Sequence, residues 1–179
     1  MKLWSVAMMK GEAARIISRR LNLSHGRVSA LLVAASDAGI LPKGSGKSNP
    51  RLSPLELSYL TLACIADRGI GVAGQSVREF AGLQSAEGLV LVDLIEAWIS
   101  GRAAVAGLQS VIVQLDPAGV SISTAAHHLR YGASHAEGAA RHVVIRGDDL
   151  AAAILEMQGY TPHDADEAVA VGRLAAALA

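Results

Sequence analysis

Cysteine is nearly missing from this chain of 179 residues: Cys64 stands alone, which excludes an internal disulfide framework and fits a reducing compartment. Aromatic residues are scarce, at 3%, so a core has to be built from Ala, Leu, Val and Ile packed closely. No run of about 18 uninterrupted apolar residues occurs, as a membrane-spanning helix requires. The opening MKLWSVAMMKGEAAR has an apolar stretch too short for a signal peptide. Together these absences predict a cytoplasmic protein with no membrane contact. Lysine is missing from residue 48 onward, and that points to how charge is distributed.

The formal net charge is zero, but it divides sharply. Residues 1–53 hold nine Lys or Arg against two acids, Glu12 and Asp37, a net of +7. Residues 54–179 hold seven Arg against fourteen acids, a net of −7. A basic segment joined to an acidic remainder predicts that one end meets polyanions while the other meets protein.

Hydrophobic spacing organises the chain into elements. Ala13, Ala14, Ile17 and Leu21 recur at helical spacing over 10–21, and Asn22-Leu23-Ser24 interrupts them. Ser24 is a good N-cap for a second helix over 25–38, along which Val28, Leu31, Leu32 and Ala35 share a face, and Gly39 ends it. Ser53-Pro54-Leu55-Glu56 opens a third helix running to Asp67. Further helices are expected over 74–82 and 86–100. The period then changes: LQSVIVQL over 108–115 alternates, Asp116-Pro117-Ala118-Gly119 is a turn, VSIST alternates again, and RHVVIR over 141–146 is a third strand. Helices over 148–158 and 164–178 close the chain. The expected fold is α+β, mainly α: an N-terminal helix-turn-helix over 1–53 with a basic wing, a helical region over 54–103, and a small antiparallel sheet with C-terminal helices over 104–179.

Residues 44–48, GSGKS, pose a choice between a phosphate loop and a basic hairpin. A phosphate loop needs a first glycine where this chain has Leu41, a buried strand before it and a helix running on after Ser48. Here an amphipathic helix precedes and Pro50 follows, so no nucleotide cofactor is expected.

The segment GEAARIISRRLNLSHGRVSALLVAASDAGILPKG resembles the helix-turn-helix of winged-helix regulators, and its arrangement is similar to DNA-binding proteins of bacteriophage and prophage genomes. The likeness covers residues 8–52 and rests on Ala14, on Leu21 and Leu23 around the turn, on Ser24, on Val28 and Leu31 facing inward, and on Ala38-Gly39-Ile40-Leu41 leading to a wing. It implies double-stranded DNA as the partner and transcriptional regulation as the role. The second helix would enter the major groove, with His25, Arg27 and Ser29 at base edges and Arg27 the best placed for guanine. Arg19, Arg20, Ser24, Lys43, Lys47 and Arg51 would hold phosphates. Ala30, Val33 and Ala34 leave the middle of that face without polar groups, so few base-specific contacts are expected. Assembly into a homo-oligomer, with residues 86–179 contacting a partner, would present several such helices to DNA. Two other roles fit the same residues: a packaging component similar to a small terminase subunit, and a protein–protein adaptor that does not touch DNA.

Nothing points to an enzyme. His127, His128, His135 and His142 show no spacing that suits a metal, no nucleophile elbow occurs, and Asp148-Asp149 reads as a helix first turn favoured by the dipole.

Overall fold

The first element is a two-residue strand, β1 (Met8–Met9), that runs directly into α1 (Lys10–Arg20). The computed structural model describes residues 7–44, 50–105, 107–133 and 140–178. α1 buries Ala13, Ala14, Ile16 and Ile17. It ends in a turn where Asn22 takes φ +52°, a left-handed conformation that Asn tolerates better than most side chains. The Ser18 hydroxyl donates to the Leu23 carbonyl (2.6 Å) and ties that turn down. α2 (His25–Asp37) then starts on its expected cap, with Ser24 Oγ accepting from the Arg27 N–H. Gly39, at φ +72°, stops it. The Gly39 and Ile40 N–H groups reach back to the Ser36 and Ala35 carbonyls (3.1 and 3.0 Å), the double bond of a Schellman ending that satisfies carbonyls the helix leaves open.

β2 (Arg51–Leu52) pairs antiparallel with β1, Met8 opposite Leu52, so the loop after α2 is rooted beside the start of α1. Inside that root the Lys10 ammonium donates to Ser36 Oγ (3.0 Å) and to the Pro42 carbonyl. α3 (Pro54–Ile65) follows with a full capping box between Ser53 and Glu56 and a proline in its first turn. Residues 60–66 are all buried, as expected of a helix surrounded by others.

A 3-10 turn (Ile70–Val72) leads to α4 (Ala73–Ala81) and α5 (Leu91–Ile99). The helix expected over 86–100 begins only at Leu91. Residues 83–90 form a tight turn instead, because Gly88 adopts φ +80° and Ser85 Oγ accepts from the Glu87 and Leu89 N–H groups (3.2 Å each). Four strands follow, β3 (Leu108–Gln114), β4 (Gly119–Thr124), β5 (His128–Gly132) and β6 (His142–Arg146), in the order β5-β4-β3-β6 and antiparallel throughout. β5 was not expected from the sequence. The last two helices are α6 (Gly147–Met157) and α7 (Pro162–Ala177).

One face of the sheet, with Val111, Val113, Val120, Ile122, Tyr131 and Ile145, packs into the same hydrophobic cluster as α3, α5 and α6. Val28, Leu31 and Leu52 belong to that cluster too, so the regions 1–53, 54–103 and 104–179 share a single core. Arg68 strengthens the join: its guanidinium lies over the Phe80 ring (5.0 Å to the centroid) and donates to the Leu115 carbonyl at the end of β3. The fold is α+β and mainly helical, as the sequence predicts. Among the described residues no helix is long and apolar enough to cross a membrane.

Candidate nucleic-acid interface

α2 divides cleanly into two faces. Val28, Leu31, Ala35 and Ser36 are buried, whereas His25, Gly26, Val33 and Asp37 are exposed and Ser29 and Ala30 are half-buried. The outward stripe is therefore short-chained, and Gly26 and Ala30 let another surface come close to the helix backbone. His25 and Ser29 both lie on it.

Arg27 does not. Its Nε and Nη2 donate to the two carboxylate oxygens of Asp67, just beyond α3, at 2.6 and 2.7 Å. This fork-on-carboxylate geometry is the one that would otherwise read guanine. Burial raises the Asp67 carboxyl pKa, but the hydrogen bonds from Arg27 and from the Gly69 N–H outweigh it and hold the group below its ordinary value. The place assigned to Arg27 at a base edge is thus occupied by an acid of the same chain.

Arg19 and Arg20 are engaged in the same way. Both reach Glu156 of α6, whose side chain is 4% exposed; Arg20 Nε donates to Oε1 at 2.5 Å and Arg19 to Oε2. Arg20 also donates to Asp166 of α7 (2.6 Å) and to the Pro162 carbonyl (3.1 Å). The end of α1 is clamped to the C-terminal helices, with the guanidiniums turned from phosphate toward carboxylate.

The remaining expected contacts lie around the loop. Lys43 is exposed and sits 3.3 Å from exposed Asp37, a pair that water screens. Arg51 is exposed on β2, and Arg15 is exposed on α1; neither has an ion-pair partner among the described residues. Ser24 uses one lone pair for its cap, leaving the hydroxyl proton free to donate. Lys47, and most of GSGKS with it, lies outside the described residues. The segment is flanked by α2 before and β2 after, not by the strand and helix that a phosphate loop needs.

Two further contacts fix the far end of α2. Arg78 of α4 donates to the Ala38 carbonyl (2.7 Å), and Gly74 packs so closely that a Cβ there would stand 2.4 Å from the Ala38 Cβ. Protein-family models, curated proteins and solved structures give no match to this chain.

Asp67, Glu156 and Asp166 are the residues that sequence reasoning missed. They lie 40 to 146 positions from the arginines they hold, and the only signal for them was the division of charge. Among the described residues, no group of three or more His, Cys, Asp or Glu side chains is placed to share a metal ion.

Proposed function

We propose that this chain binds double-stranded DNA through the outer face of α2 and acts as a transcriptional regulator. The observation that carries the reading is that outward stripe, on a helix entered by a capped turn and followed by a loop rooted between Lys10 and the β1–β2 pair. Its small residues let the helix sit deep in a major groove, with His25 and Ser29 at base edges. Lys43, Lys47 and Arg51 contact phosphates from the loop, and Ser24 and Arg15 extend that contact along the backbone. Arg19, Arg20 and Arg27 contribute only by releasing Glu156, Asp166 and Asp67. Affinity from so few free cations is modest, so an oligomer that presents two or more copies of α2 suits the role.

One observation favours a second reading. Three arginines of the helix-turn-helix are neutralised inside the chain, and α2 exposes Gly26 and Val33 beside half-buried Ala30, a surface that also fits a protein partner. Fluorescence anisotropy with random duplex at 50 and 200 mM salt separates the two. DNA binding that weakens with salt, and falls when Lys43 and Arg51 are both changed to Gln, supports the regulator; no salt-dependent binding leaves the adaptor.

A further inference from the structure

The sheet has a second face that the core does not use. Cross-strand register places Val144, Ile112, Ser121 and Arg130 in one row across the four strands, and Arg146, Ser110, Ser123 and His128 in the next. With strands about 4.8 Å apart, each row spans about 14 Å. None of the four strands contains an Asp or a Glu, although they lie in the half of the chain that carries net charge −7. The face is a basic, hydroxyl-bearing island in an acidic region.

Among the described residues its cations are held less closely by acids than Arg19, Arg20 and Arg27 are. Arg130 is half-buried, and its Nη1 and Nη2 donate to neutral acceptors, Ser121 Oγ and the Ala133 carbonyl, at 2.9 Å each. These bonds hold the guanidinium in place, and no carboxylate among the described residues neutralises it. His128 Nδ1 lies 2.9 Å from Ser123 Oγ, beside Arg130 along β5. At the opposite edge the Arg146 side chain is 76% exposed, with Asp149 and Asp148 only at 3.7 and 4.0 Å. On β3 and the edge strand β6 stand Ile112 and Val144, a directly opposed apolar pair, 37% and 70% exposed.

We propose that this outer sheet face binds single-stranded nucleic acid, with Arg130 and Arg146 on phosphates and the Ile112–Val144 pair against unstacked bases. Charge complementarity calls for a polyanion. The apolar pair selects the single strand, because a duplex offers only its phosphates and sugars to a flat surface and leaves Ile112 and Val144 against charge. Ser110 and Ser123 supply hydroxyl donors between the cations. No Phe, Tyr or Trp of the four strands stands on this face, so binding rests mainly on the phosphate contacts and is governed by salt. The inference does not depend on what α2 binds.

The test titrates labelled (dT)20 with the full chain at several salt concentrations, using random duplex and polyglutamate as competitors. Arg146→Gln is the primary variant, since the side chain is exposed and its ion pairs are long; Arg130→Gln is the second, and each is read only after its melt shows it folded. One phosphate contact on a single strand contributes a slope of about −0.7 in log K against log salt. Each variant is therefore expected to flatten the slope by about 0.7 and to weaken binding about eightfold at 50 mM salt. Arg102→Gln, an exposed arginine that pairs with Glu96 of α5, is expected to leave (dT)20 binding unchanged. The proposal is overturned if the chain does not bind (dT)20 at low salt, or if Arg146→Gln leaves the slope where it was. It is equally overturned if duplex or polyglutamate competes as well as the single strand does, because the face would then be an unselective polyanion surface or a site for an acidic protein.

Discussion

Replacing Glu156 by Gln keeps the shape of the side chain and removes the charge that two arginines share. Glu156 is buried at 5% exposure, and Arg20, at 16% side-chain exposure, holds it at 2.5 Å, so this pair is poorly screened. Breaking a buried pair by removing one partner costs about 3–5 kcal/mol, because the other charge is left desolvated. The lower end applies here, since Arg20 keeps Asp166 and the Pro162 carbonyl. Arg19 is half exposed, and its share is at most about 1 kcal/mol. The expected loss is about 3 kcal/mol, which for a chain of this length lowers Tm by about 6–12 °C. Thermal melts followed by circular dichroism at pH 7 measure it, with Arg15→Gln as the surface control expected to change little. A melt of Glu156→Gln within about 2 °C of wild type would refute the reasoning, and would mean that α1 is held to α6 by apolar packing alone. If α2 docks on DNA as proposed, the same variant should also bind duplex more tightly, since Arg19 and part of Arg20 are released toward phosphate.

The Arg27–Asp67 pair gives a pH prediction: Asp67 has a depressed folded pKa, so its stabilisation is present above the unfolded Asp value of about 3.9 and is lost as pH falls through the folded value. Urea midpoints for wild type and Asp67→Asn should therefore differ at pH 7 and converge as the pH is lowered toward 3; a gap that stays constant would contradict the assignment. Gly74→Ala should destabilise by about 1–3 kcal/mol through overpacking against Ala38, although Ala is favoured over Gly in a helix interior by about 1 kcal/mol; a raised denaturant midpoint would show that α2 and α4 can move apart. Burial pushes the Cys64 thiol up to about 12, with Asp67 adding to the shift, so labelling by a thiol reagent at pH 8 should be slow in the folded protein and fast in urea. Rapid labelling without denaturant would place Cys64 outside the core.

Elements that begin with local chemistry were legible in the sequence. Ser24 and Ser53-Pro54 with Glu56 each cap the helix expected of them, because a cap is decided within four residues. The stretch 86–90 misled because Leu89 and Val90 extend the apolar pattern of α5, while Gly88 and the Ser85 hydroxyl decide the backbone in favour of a turn. β5 escaped although His128, Leu129, Arg130 and Tyr131 alternate, because the run is only five residues long; its strand form comes from pairing with β4, a contact that the local pattern does not announce. The site was half legible. Which side chains of α2 face outward followed from Val28 and Leu31, but the fate of its arginines did not. An arginine reads as a phosphate ligand until the fold brings a carboxylate to it, and Glu156 arrives from 136 residues away.

α2 is pinned at both ends, by Asp67 at its first turn and by Arg78 and the Gly74 contact at its last. A helix fixed in this way has little freedom to reorient toward whatever it meets, so its encounter with a partner should be a rigid docking with a small ordering cost. Affinity would then be adjusted through the lifetime of the complex more than through the rate at which it forms. Releasing either pin would turn the same surface into an adaptable one, which loses affinity to ordering while gaining tolerance for different partners.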